Sequence, residues 1–87
     1  MPFESVLRVR AGDRPFTLIV EPWANEFPIA ADEQCRVVAR HPTAPPTFEV
    51  EPGSAGDLIV YVNESRSTFE FWRGSVREFW TPVPIPG

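Results

Sequence analysis

The chain predicts an all-β fold, an antiparallel β-sandwich or squashed barrel of seven to eight short strands. Three observations carry that expectation. Eleven prolines among 87 residues punctuate the sequence and exclude long helices. Between them, short runs alternate apolar and polar residues with the period of two that a half-buried strand requires. Near the C-terminus, Phe69–Trp80 (FEFWRGSVREFW) reads as a β-hairpin with aromatic rings on both of its faces.

The length suits a single domain, 1–87, with a proline-rich C-terminal tail from about residue 81. A chain this short buries only about 60–65% of the surface its unfolded form exposes, so large rings are valuable in its core.

Taken in order, Ser5 to Ala11 forms the first expected strand, with Leu7, Val9 and Ala11 alternating against Arg8 and Arg10. The turn at Gly12-Asp13-Arg14-Pro15 ends it, and Phe16 to Glu21 (FTLIVE) forms the second. Pro22 stops that strand, and a short third one covers Glu26 to Ile29. In the run from Gln34 to Arg40, Cys35, Val37 and Ala39 face one way while Arg36, Val38 and Arg40 face the other. The proline-rich segment from His41 to Pro46 is an extended connection. Thr47 to Glu51 directs Phe48 and Val50 inward. Asp57 to Val62 contains LIVYV, an unbroken apolar run that suits a strand covered on both faces. The expected core comprises Leu7, Val9, Leu18, Val20, Val37, Phe48, Val50, Leu58, Val60, Val62, Phe69 and Phe71.

The hairpin allows two registers. A two-residue type II′ turn at Gly74-Ser75 pairs Phe69 with Trp80, and places Trp72, Phe79, Glu70 and Arg77 on the outer face. A three-residue loop pairs Phe69 with Phe79, puts Phe69, Phe71 and Phe79 on the inner face, and sets Trp72 and Trp80 together on the outer one. Both place Trp72 opposite Phe69 and Phe71. The outer face is either covered by a loop or the tail, or it is a self-association surface, or it is a platform for a small ligand such as a sugar ring. Its candidate residues are Trp72, Phe79, Trp80, Arg77 and Glu70. A secondary candidate pocket comprises Trp23, Glu21 and Glu26, where the competing expectation is a structural corner with the indole capping one end of the core.

Little else carries chemistry. A single Cys and a single His allow only Cys35 with His41 as a nucleophilic pair, with no third group to orient the imidazole. A structural zinc site or a copper site needs more ligands of these types than one chain contains. Glycines lie in PGSAG without the lysine of a phosphate-binding loop. The formal charge of −4 argues against nucleic acid and against an anionic membrane surface, and all eight basic residues are arginines. No cofactor or metal is expected. The unpaired cysteine, and an N-terminal sequence without an apolar stretch of signal-peptide length, lead to the expectation of a cytoplasmic protein.

Three segments carry a resemblance. Thr17-Leu18-Ile19-Val20-Glu21-Pro22-Trp23 with Glu26, the strand Phe48-Glu49-Val50-Glu51, and Trp72-Arg73-Gly74-Ser75 followed by Val76 are similar to segments of short, uncharacterised, β-rich bacterial proteins. The resemblance spans Thr17 to Phe79 and implies a β-rich fold. It carries no activity or site residue with it. The reading that follows is a non-enzymatic protein-interaction module that forms a homo-oligomer, with a small-ligand or carbohydrate-binding module using exposed tryptophans as the alternative.

Overall fold

In the computed structural model, which describes residues 2–86, eight strands form two four-stranded sheets. Sheet A has the order β1-β4-β7-β8, from Phe3–Arg10, Gln34–His41, Thr68–Arg73 and Val76–Trp80. Sheet B has the order β3-β2-β6-β5, from Asn25–Ile29, Phe16–Glu21, Leu58–Val62 and Phe48–Pro52. A single 3-10 turn at Ser54–Gly56 precedes β6. The all-β sandwich expected from the sequence is therefore present, and each expected strand lies within two residues of its observed bounds.

One pairing departs from an all-antiparallel sandwich: β2 and β6 run parallel, with Leu18 beside Leu58 and Val20 beside Val60. The chain leaves sheet B after β3, crosses through β4 of sheet A, and re-enters at β5. A pair joined by such a crossover is free to be parallel, whereas one joined by a tight hairpin is not. The apolar run of β6 belongs to this central pair. Its Val60 and Val62 are buried, while Ile59 and Tyr61 lie half-buried on the outer face, with no second layer above them among the described residues.

The two sheets meet through alternate residues. Leu18, Val20, Phe27 and Ile29 of sheet B oppose Val37, Ala39, Phe69 and Phe71 of sheet A. Phe27 stacks on Phe71 with centroids 4.1 Å apart and planes 8° apart, and meets Phe69 edge-on. Of the expected core residues, Leu7, Val9, Phe48 and Leu58 pack at its margin, but Val50 is 47% exposed. It lies on the outermost strand of sheet B, where one side of an inward residue has no neighbour.

The hairpin follows neither regular register. Gly74-Ser75 forms the two-residue turn, with Gly74 at φ 58°, and Trp72 lies opposite Arg77. A bulge then absorbs Glu78, so that Phe71 faces Phe79 and Glu70 faces Trp80. The extra residue changes which side chains point inward beyond the turn. Phe79 therefore joins the inner aromatic cluster, 5.3 Å from Phe69, and Trp80 faces outward.

The tail folds back over the end of the core. Thr81 N–H donates to Phe69 C=O, Ile85 N–H to Ser67 C=O and Arg66 N–H to Ile85 C=O. Ile85 packs against the core margin.

Phe71 is fully buried in this inter-sheet stack. Phe71→Ala is expected to cost about 3–5 kcal/mol through lost contact and the cavity left behind, measured by urea unfolding.

Candidate functional site

The outer surface of sheet A is the candidate site. Strand parity and register place Glu4, Val6, Arg8 and Arg10 of β1 on it, beside Arg40, Val38, Arg36 and Gln34 of β4. In β7, Thr68, Glu70 and Trp72 continue the same rows, and Trp80 and Arg77 of β8 complete them. The sequence-predicted Trp72, Trp80, Arg77 and Glu70 are thus neighbours on one face. Phe79, also predicted there, is not: the bulge at Glu78 rotates it into the core. Trp72 is half-buried beneath the Arg36 guanidinium, while the tail hydrogen-bonds at Ser67, Phe69 and Trp23.

Side chains within the face order the rings. The Arg36 guanidinium lies 4.4 Å from the Trp72 ring centroid, and its Nη1 donates to Gly74 C=O at 3.2 Å. Such a cation–π contact contributes roughly 0.5–1 kcal/mol at an exposed site. Trp72 Nε1–H donates to Glu70 Oε1 at 2.9 Å. The other Glu70 carboxylate oxygen accepts from Arg40 and lies 3.4 Å from Arg77 Nη1, while Arg40 also pairs with Glu4 at 2.8 Å. Arg77 lies 5.7 Å from the Trp80 ring centroid. Among these residues Val38 is only 4% exposed despite pointing away from the core. It sits between the long side chains of Arg36 and Arg40, whose methylene stems are suited to cover apolar surface.

Partial burial works to raise the Glu70 pKa, but the hydrogen bonds from Trp72 and Arg40 and the charges of Arg40 and Arg77 outweigh it. The carboxyl is held below its ordinary value. Arg8, Arg10 and Arg36, in contrast, have no carboxylate within ion-pair distance among the described residues. They line a shallow cleft of about 280 Å³ with Val9, Gln34, Cys35 and Gly74. Arg8, Arg10, Arg36 and Arg40 were not singled out from the sequence. Their alternation with apolar residues was visible, but their convergence requires β1 and β4 to be paired.

The opposite outer surface, on sheet B, differs in charge. Register aligns Glu26, Ile19, Ile59 and Glu51 in one row, and Glu21, Tyr61 and Glu49 in the next. Tyr61 O–H donates to Glu51 Oε1 at 2.8 Å. Five arginines and two glutamates therefore face outward on sheet A, and four glutamates without an arginine on sheet B.

The secondary pocket does not form. Trp23 Nε1–H donates to Val83 C=O at 3.0 Å, and its ring packs 4.6 Å from Phe69, so the indole caps the core under the tail. Glu21 and Glu26 instead point outward from sheet B, and Glu21 Oε1 is buried without a hydrogen-bond partner. The Cys35–His41 combination is also separated. Both residues lie on β4, six positions apart, which is ~20 Å along an extended strand. His41 Nδ1 accepts from the N–H groups of Thr43 and Ala44, and its Nε2 lies 2.8 Å from Ser65 C=O. The imidazole thereby anchors the proline-rich connection that follows β4. Burial pushes the Cys35 thiol above its ordinary pKa, with the Arg73 charge acting weakly against it. Among the described residues, no group of three His, Cys, Asp or Glu side chains is arranged to hold a metal, and no helix is long and apolar enough to cross a membrane.

Comparisons with protein-family models, with curated proteins and with solved structures returned no match.

The Glu70 network predicts a pH-dependent contribution. Because the folded-state pKa is depressed, the stabilisation is complete above the unfolded value of about 4.3 and is lost as pH falls through the folded value. Glu70→Gln is expected to be less stable than wild type at pH 7. Urea titrations at successive pH values should show that difference shrinking below about pH 4.3.

Proposed function

We propose that this chain is a non-enzymatic interaction module that self-associates through the outer face of sheet A. The observation that carries this reading is a surface on which exposed Trp80 and Val6 and half-buried Trp72 lie among arginines, with no second layer above it among the described residues. Trp80 is 53% exposed and Val6 37%. Aromatic residues and arginine are the side chains most enriched where protein interfaces carry their binding energy. The Glu70–Trp72–Arg36 contacts hold the central ring in one orientation before any partner arrives, which lowers the ordering cost of association. The separation of Cys35 from His41 supports the non-enzymatic part of the reading, and a lone buried thiol suits a reducing compartment such as the cytoplasm.

Sedimentation velocity at micromolar to millimolar concentrations, in low salt, tests the proposal. Wild type should show species larger than monomer, and Trp80→Ala combined with Arg36→Ala should weaken association by at least about tenfold, or 1.4 kcal/mol. A wild-type protein that remains monomeric over this range would overturn it.

One observation favours a second reading, a small-ligand site: the cleft bounded by Arg8, Arg10 and Arg36 lies beside Trp72. A sugar carrying phosphate or carboxylate groups offers charge for the guanidinium groups and a ring for the indole. Titration with sugar phosphates should then change the tryptophan emission of wild type but not of Arg8→Gln/Arg10→Gln. Unchanged emission at millimolar ligand would exclude such a site.

A further inference from the structure

The two broad surfaces of the sandwich are complementary to each other, although they face in opposite directions on one molecule. On sheet B, the apolar centre formed by Ile19, Ile59 and Tyr61 is bracketed by glutamates: Glu26 and Glu51 end one row, and Glu21 and Glu49 flank the tyrosine. On sheet A, one row runs Val6, Val38, Glu70 and Trp80 and the next Arg8, Arg36, Trp72 and Arg77; Glu70 pairs with Arg40, whereas Arg8, Arg10 and Arg36 have no carboxylate partner among the described residues. The unpaired charges of the two surfaces are thus of opposite sign, and each set lies beside apolar side chains.

We propose that the occupant of the sheet A surface is the sheet B surface of a second copy, so that sandwiches stack face to face in an open series. This rests on the reading of sheet A as a self-association surface and specifies what it meets. Like-charge opposition disfavours the symmetric alternative: two sheet A surfaces placed together bring unpaired arginines against arginines, and two sheet B surfaces bring glutamates against glutamates. The molecule measures 38 × 28 × 18 Å, and two packed sheets account for the short dimension. Its broad faces are large enough for the roughly 800 Å² per partner of a standard interface. A pairing of two different surfaces does not close on itself unless a rotation returns it, so the number of copies grows with concentration. Attraction between exposed charges also falls with salt, as the screening length shortens from about 10 Å at 0.1 M to about 3 Å at 1 M.

Charge exchange tests the pairing. In sedimentation velocity at low salt, wild type should shift continuously beyond dimer as concentration rises, and revert toward monomer at 1 M salt. Arg8→Glu/Arg10→Glu and Glu49→Arg/Glu51→Arg should each reduce association at least about tenfold. The variant carrying all four changes should associate more strongly than either charge-reversed pair alone, because the reversed positions on the two faces again carry opposite signs. Circular dichroism and thermal melts establish that each variant is folded. Should a reversal unfold the chain, Glu49→Gln/Glu51→Gln gives the same comparison, with the same direction of effect. If wild type associates and the Glu49/Glu51 variants associate as well as it does, the face-to-face pairing is overturned while self-association through sheet A stands. If wild type is monomeric throughout, both fall.

Discussion

The stack of Phe27 on Phe71 is the contact on which the remaining architecture depends. It joins the edge strand of sheet B to an inner strand of sheet A, and it fixes which parity of β7 faces inward. With Phe69 and Phe71 inside, Glu70 and Trp72 have no alternative to the outer surface. The register of β4 against β7 then carries that choice across the sheet, setting Arg36 beside Trp72 and Val38 beside Glu70. A chain of this size has too little core to hold a second apolar layer, so whatever β7 turns outward remains at the solvent boundary. The polar contacts of the outer surface are consequences of packing on the inner one.

Much of this was legible in the sequence because side-chain parity along a strand is a local property. The inward set on β2, β4 and β7 follows from alternation alone, and so does the outward position of Trp72. What escaped was non-local or irregular. The bulge at Glu78 leaves no local sign, yet it decides that Phe79 is inside and Trp80 outside. Neither regular hairpin combines a two-residue turn with those faces. The parallel pairing of β2 with β6 depends on a crossover between layers, which alternation does not encode. Trp23 caps one end of the core as the corner reading expected, but the acceptor of its N–H is a carbonyl of the C-terminal tail, sixty residues distant, and not Glu21 or Glu26. His41 was read as a loop residue without a role, although its ring nitrogens organise the connection after β4.

The charge distribution shows the same limit. A formal charge of −4 describes an acidic protein, but the average combines two unlike surfaces. The arginines at 8, 10, 36 and 40 are scattered in sequence and become a cluster only through the β1–β4 ladder. The glutamates at 21, 26, 49 and 51 become a cluster through the pairings of β2, β6 and β5. Composition therefore excluded less than it suggested: the argument from net charge applies to the molecule as a whole and not to the surface a partner would meet.

The position of Cys35 has a separate consequence. Its sulfur is the only thiol of the chain, it is 5% exposed, and it faces the space between the sheets from β4. It also lines the floor of the cleft beside Arg8, Arg10 and Arg36, so a disulfide-exchange reagent approaches it through a local opening at that end of β4. The rate of its modification in the native protein is then set by that opening and by the small thiolate fraction a buried thiol maintains. The cysteine acts as an internal clock for opening at that end of the sandwich, and needs no added label to keep time.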